Sequence, residues 1–200
     1  PGCADLGDYD PTAIAIGVIL NEGSMPLRDE ILQGTWDEYM KRFRHRAEQA
    51  PSDYTPYEVR NVSALFRLGR QSDAAFVLDW LIGDGVRPAA WNHWGEVVHP
   101  NPREPKYIGD MPHTWVGSGF MNAVRDMLVF EDQGRLVLAA GVPRDWMREG
   151  IAVHGLPTWW GPISYELKEE GDGEPKLRLA RRPDPPKGFS VPEGVTLLVE

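Results

Sequence analysis

The feature that most limits what this chain can fold into is a change of apolar period near residues 130–134. Before it, apolar side chains recur every three to four residues; after it they alternate in short runs. Helices crowd the first part and short strands the last, so the expected class is α+β, with domains at 1–130 and 134–200. Glycine and proline also grow denser toward the second half. At 200 residues with 42% hydrophobic and 26% charged side chains, the chain is long and apolar enough to bury a core.

Five helices are predicted ahead of the boundary. Asp10-Pro11 reads as an N-cap followed by proline at the first helical position, and Thr12 to Leu20 is apolar nearly all round, the pattern of a buried helix. Thr35 and Glu38 have capping-box spacing. The helix they start carries Trp36, Tyr39, Met40 and Phe43 as its apolar stripe, with Lys41, Arg42, Arg44 and Arg46 as a solvated face. Thr55-Pro56 opens a third helix, striped by Val59, Val62, Leu65 and Phe66 and ending near Gly69. Ser72 caps a fourth through Ile82, with Ala75, Phe76, Leu78 and Leu81 apolar. Asp110 and Pro112 begin the fifth, whose stripe is Trp115 or Val116, then Phe120, Ala123, Val124 and Met127.

Beyond the boundary, Leu136–Ala140, Ile151–Val153, Ile163–Leu167, Lys176–Arg181 and Val195–Val199 are strand candidates, with a Gly-Asp-Gly hairpin turn at 171–173. They suggest a small antiparallel sandwich. Trp159 and Trp160 are expected to fill the junction between sheet and helices, with a ligand-facing role as the alternative.

Chemistry concentrates in Trp91-Asn92-His93-Trp94-Gly95-Glu96 and Gly109-Asp110-Met111-Pro112-His113-Thr114-Trp115. Tryptophan faces stack on the C–H faces of sugar rings, and neighbouring acids and amides bond hydroxyls or move protons. A second cluster, Tyr54, Tyr57, Glu58, Arg60 and Asn61, gathers in the first turn of the third helix. Glu58 gains there from the helix dipole, which suits a hydrogen-bond acceptor better than a general acid; a surface Glu58–Arg60 pair is the plain alternative.

The charge balance limits the partners. A net charge of -9 and a pI near 5.1 disfavour nucleic acid and anionic membranes. The single cysteine, Cys3, excludes an internal disulfide, and the five histidines lack metal-ligand spacing, so no metal or cofactor is expected. No run is long enough to span a bilayer and no signal peptide opens the chain; Pro1 in first position suggests a processed chain or a piece of a longer one.

The order Asp8-Tyr9-Asp10-Pro11-Thr12, Tyr54-Thr55-Pro56-Tyr57-Glu58-Val59-Arg60-Asn61, Trp91 to Trp94, and Tyr107 to Trp115, closed by Gly155-Leu156-Pro157-Thr158 and Gly161-Pro162-Ile163-Ser164-Tyr165, resembles the C-terminal portion of bacterial six-hairpin glycosidases. The resemblance covers nearly the whole chain. It implies part of an (α/α)6 toroid followed by a β-sandwich. Helices from Asp10, Tyr54 and Asp110 would be inner ones facing a sugar cavity, and those from Thr35 and Ser72 outer ones. A complete toroid takes about twelve helices of about 11 residues each, so the rest would come from a longer chain or a second chain.

In similar enzymes such as α-L-rhamnosidases, the glutamate of a Trp-Glu-x-Trp segment is the general base. Asn92 stands at that position here, and an amide cannot accept a proton as a carboxylate does. Glu96 and Asp110 are then the acid/base candidates. Trp91, Trp94 and Trp115 would stack sugars, while Tyr57, Glu58, Asn92 and His113 would bond hydroxyls. The rival expectations are a noncatalytic carbohydrate-binding module and a structural fragment that docks on a partner chain.

Overall fold

The computed structural model describes residues 2–3, 8–20, 28–49, 55–83, 113–171 and 173–199. The chain is α+β, with six helices and two small mixed sheets among the described residues, and it divides into two compact units, Pro1–Val124 and Arg125–Glu200.

In the first unit, β1 (Gly2–Cys3) pairs antiparallel with β2 (Asp8–Tyr9). The expected N-cap follows: Asp10 Oδ1 accepts from Ala13 N at 3.0 Å at the mouth of α1 (Pro11–Leu20). Only Ala15 and Val18 of that helix are buried, and Leu20 is 74% exposed, so α1 is not the fully buried helix its composition suggested. A helix that is apolar nearly all round has little preference of face, and packing picks the side that is covered.

α2 runs Asp29–Ala47, seven residues longer at its start than expected. Thr35 is therefore not an N-cap. It lies within the helix, where Oγ1 donates back to Ile31 O at 2.8 Å, while Glu38 pairs with Arg42 instead of closing a capping box. Asp29 and Glu30 in the first turn suit the helix dipole and favour the earlier start. The predicted stripe Trp36, Tyr39, Met40 and Phe43 is buried throughout.

Thr55 caps a 3₁₀ turn, Pro56–Glu58, that leads into α3 (Val59–Arg67). The helix closes with Arg70 N on Leu65 O at 2.8 Å and Gly69 at φ +73°, a conformation that only glycine adopts cheaply. α4 (Gln71–Ile82) follows after three residues, Leu68 to Arg70. Arg70 occupies its cap position, so Ser72 falls inside the helix, and the buried stripe is Ala74, Val77, Leu78 and Leu81. The i, i+3, i+4, i+7 spacing of those four is the better helical match.

In the first unit α3 packs most extensively, against both α1 and α4. Asn61 of α3 reaches Thr12 of α1 at 3.5 Å, and a Cβ on Gly119 of α5 (Thr114–Leu128) would stand 3.0 Å from Val59 of α3, so α3 neighbours both α1 and α5. Phe43 of α2 meets Phe76 and Trp80 of α4 edge to face at 6.0 and 5.0 Å, and Arg44 pairs with Asp73, so α2 and α4 are neighbours.

In the second unit, β3 (Val129–Asp132) and β4 (Arg135–Leu138) form a hairpin that begins directly where α5 stops. Gln133 and Gly134 both have positive φ, 45° and 88°, as a two-residue hairpin turn with the strands' own twist requires. The helical stripe of α5 had hidden this strand. A six-residue helix, α6 (Arg144–Glu149), was also unforeseen; its one buried side chain, Met147, is too little for a period to show.

β5 (Ile151–Leu156), β6 (Ile163–Glu170) and β7 (Glu174–Arg181) form an antiparallel meander, with β6 and β7 paired up to Glu170 and Glu174 on either side of the expected hairpin turn. Ile163, Tyr165, Leu167, Leu177 and Leu179 point inward at alternate positions. Arg178 and Lys176 bond Glu170 across the hairpin and hold its carboxyl below the usual carboxylate range. β8 (Phe189–Ser190) and β9 (Thr196–Val199) add the correction to the expected antiparallel set: β8 runs parallel to β4, and β9 parallel to β7. The chain leaves β7 through a proline-rich stretch, visits the other sheet as β8, and so returns to β7 by a crossover, which is what a parallel neighbour needs.

Tyr165 ties these strands to the end of α5, its buried hydroxyl donating to Leu128 O at 2.9 Å. Burial pushes the Tyr165 phenol well above its usual range. This favours the folded state fully at neutral pH, and the advantage shrinks once pH passes about 10, where tyrosine in an unfolded chain ionises. Leu128 O also accepts from Ala139 N, so Tyr165→Phe strands no acceptor and is expected to cost about 1 kcal/mol at pH 7. In urea melts from pH 7 to 11, the wild-type chain should lose stability above pH 10 more steeply than Y165F; parallel profiles would refute this account.

Candidate functional site

The described part of the site is built on the starts of α3 and α5. Thr55 Oγ1 accepts from Tyr57 N at 3.4 Å and, with Pro56 at the first turn, sets the direction in which the chain enters the helix. Tyr57 and Glu58 are thereby placed in one short turn, and their side chains meet different partners.

Glu58 is buried at 8% exposure. Arg46 binds it with both terminal nitrogens at 2.8 and 2.7 Å, and Tyr39 Oη donates to it at 3.2 Å. The Arg46 guanidinium lies 4.9 Å from the Phe43 ring and 5.1 Å from the Trp80 ring. Arg46 is thus no member of a solvated basic face. It stands three residues beyond Phe43, on the continuation of the buried stripe, and that spacing was the available signal in the sequence. The Glu58–Arg60 surface pair is replaced by this contact; Arg60 instead holds its guanidinium over the Tyr57 ring, 4.7 Å from its centre.

Beneath this turn lies Asn61, fully buried and hydrogen-bonded at both ends. Its Oδ1 accepts from Trp36 Nε1 at 3.2 Å, and its Nδ2 donates to Glu58 O at 3.2 Å and to Thr12 Oγ1. A buried amide with such partners fixes the spacing of α1, α2 and α3 below the site.

His113 stands just before α5. Its carbonyl accepts from Gly117 N at 3.0 Å, and its Nδ1 accepts from Val116 N at 3.4 Å, so the imidazole caps the helix. Its Nε2 is 3.1 Å from Tyr57 Oη. A lone pair on Nδ1 puts the ring proton on Nε2, so the imidazole donates to the phenol oxygen. The Tyr57 hydroxyl then keeps its own proton for another acceptor. The Tyr57 and His113 rings meet edge to face at 5.3 Å, and the ring of Trp115, 67% exposed, stands edge-on to His113 at 6.4 Å.

The structure therefore joins Tyr57, His113 and Trp115, from positions far apart in sequence, and commits the Glu58 carboxylate to Arg46 and Tyr39. Val116 rather than Trp115 carries the buried stripe of α5. Trp91, Asn92, Trp94, Glu96 and Asp110 lie outside the described residues. Among the described residues no three His, Cys, Asp or Glu side chains gather as a metal site would require, and no helix is long and apolar enough to cross a membrane.

In the second unit, Trp159 is 67% exposed. Its backbone N–H donates to Glu131 Oε1 at 3.1 Å, and Glu131 is itself buried and held by Arg125 at 2.7 Å. Trp160 meets it edge to face at 6.1 Å.

Comparison with protein-family models, with curated proteins and with solved structures finds no match to this chain.

The Arg46–Glu58 contact has a measurable weight. Arg46→Met leaves a carboxylate buried without its counter-charge and is expected to lower stability by about 3 kcal/mol. Arg46→Met combined with Glu58→Leu should cost clearly less than the two single changes added together. Additive losses in a denaturant-based double-mutant cycle would mean that the pair is not coupled.

Proposed function

We propose that this chain is the C-terminal part of a glycoside hydrolase and supplies one wall of a sugar-binding cavity. The observation that carries the reading is the joining of Tyr57, His113 and Trp115 at the starts of two neighbouring helices. An exposed indole offers a flat face to the C–H side of a pyranose. The Tyr57 hydroxyl, released to donate by the His113 proton, is placed to bind a ring hydroxyl.

The packing order supports the architectural half of the reading. α1 neighbours α3, α3 neighbours α5, and α2 neighbours α4, as they would if the first three belonged to the inner layer of an (α/α)6 toroid and the other two to the outer layer, with α3 and α4 packed as one inner–outer hairpin. The strand-rich unit would then be the sandwich that follows such a toroid. On this reading Trp91 and Trp94 add stacking faces, Asn92 bonds hydroxyls, and Glu96 and Asp110 are the acid and base, one on each side of the scissile bond. Glu58 acts from behind, with its carboxylate engaged by Arg46. The remaining helices come from a longer chain or a second copy.

A noncatalytic carbohydrate-binding role is the second reading. It is favoured by the ion pair that occupies Glu58, and by an asparagine where the resemblance places a general base.

Ligand-observed NMR and aryl-glycoside assays test both. The isolated chain should bind monosaccharides weakly, and Trp115→Ala should weaken that binding about tenfold, the loss of one aromatic stacking contact. Tyr57→Phe is expected to cost severalfold. Hydrolysis by the 200-residue chain should be slow or absent, since half a toroid leaves the site open to water. Robust turnover abolished by Glu96→Gln or Asp110→Asn would show that the chain holds a complete catalytic pair. Binding indifferent to Trp115→Ala would sink the sugar site.

A further inference from the structure

Arg60 is the side chain at this site that the reading above leaves without a task. Arg42, Arg44, Arg46 and Arg70 each take a carboxylate, from Glu38, Asp73, Glu58, and Asp37 with Asp73 respectively. Arg60 takes none among the described residues, in a chain whose acids outnumber its lysines and arginines by 30 to 21. It is half-buried in the first turn of α3, and its contact is the flat face of the Tyr57 ring, 4.7 Å from guanidinium carbon to ring centre.

That arrangement leaves a specific set of groups unspent. The ring contact attracts the cation by its charge and gives its N–H donors no oxygen to bond, so they are left for an acceptor. Two parallel N–H donors held in one plane match the two oxygens of a carboxylate. The phenol beneath has its far end on His113, and His113 adjoins Trp115. One aromatic ring therefore joins a planar cation to the groups assigned to hydroxyl binding and ring stacking.

We infer that the sugar taken here carries a carboxylate: a hexuronic acid residue, whose carboxylate pairs with Arg60 while its ring and hydroxyls lie toward Trp115 and the Tyr57–His113 pair. The inference rests on the sugar-binding reading and narrows it from any pyranose to an acidic one. Glu58 would be a poor neighbour for such a ligand if it were uncompensated. Its pairing with Arg46 removes that repulsion and leaves the Arg60 charge for the ligand.

The test compares D-glucuronate with D-glucose, and D-galacturonate with D-galactose, by saturation-transfer NMR on the 200-residue chain, with acetate as a carboxylate that lacks a sugar ring. Each uronate is expected to bind about tenfold more tightly than its neutral counterpart, the effect of one charge-assisted bidentate contact. The ratio should fall as salt rises from 0.05 to about 0.5 M, because an exposed ion pair is screened. Arg60→Gln should bring the uronate-to-neutral ratio close to one, and Arg60→Lys should restore it only in part, with circular dichroism confirming the fold of each variant. Equal binding of uronates and neutral sugars by the wild-type chain, or a ratio that survives Arg60→Gln, overturns this inference and leaves the sugar site standing. Acetate binding as tightly as the uronates overturns it too, since the ring would then contribute nothing. Failure of every sugar to bind overturns the sugar site and this inference together.

Discussion

The helical unit depends on a carboxylate that has been taken out of water. Glu58 sits in a turn where the chain changes direction, and burying it costs several kcal/mol unless its charge is met. Arg46 meets it from the end of α2 with two parallel hydrogen bonds, Tyr39 adds a third, and Phe43 and Trp80 cover the guanidinium. The last turn of one helix is thus fastened to the first turn of the next. An apolar contact in the same place would tolerate a slide of an ångström or two; a bidentate pair does not. What the pair adds is chiefly position, and the position it sets is that of Tyr57, the adjoining residue.

From that turn the site is assembled by mutual restraint. Thr55 and Pro56 aim the backbone, Asn61 holds α1, α2 and α3 at a fixed spacing beneath it, and His113 brings the start of α5 against the Tyr57 hydroxyl. The close approach of α5 to α3 passes over Gly119, where a β-carbon would press on Val59 at 3.0 Å. Each of these is a local condition, and together they decide which polar atoms face one another. The second unit repeats the device on a smaller scale: Glu131, buried and held by Arg125, receives the backbone N–H of Trp159, so a buried charge pair again anchors a turn that exposes an aromatic ring.

Much of this was legible in the residues. The change of period located the passage from helices to strands, because a helix and a half-buried strand expose their faces at different intervals. Asp10 and Thr55 announced helix starts by the capping chemistry of a short oxygen-bearing side chain, and Gly69 announced a helix end by its freedom to take positive φ. Buried stripes on α2 and α3 followed from spacing alone. The misreadings share one cause: a local pattern admits more than one global solution. Thr35 and Glu38 have the spacing of a capping box whether or not the helix has already begun. An all-apolar α1 does not say which side will be covered. Leu128 to Phe130 fit both the end of a helix and the start of a strand.

The sequence by itself determined the class of the fold and the approximate stretch where helices give way to strands, since these depend on composition and on intervals of two to four residues. The tertiary structure decided which residues meet. That Tyr57 reaches His113 across 56 positions, that Glu58 pairs with Arg46 and not with Arg60, and that β9 lies parallel to β7 are all consequences of chain crossings that no local interval records. Hydrogen bonds and ion pairs are short-ranged and directional, so their partners are chosen only once hydrophobic burial has brought distant segments together.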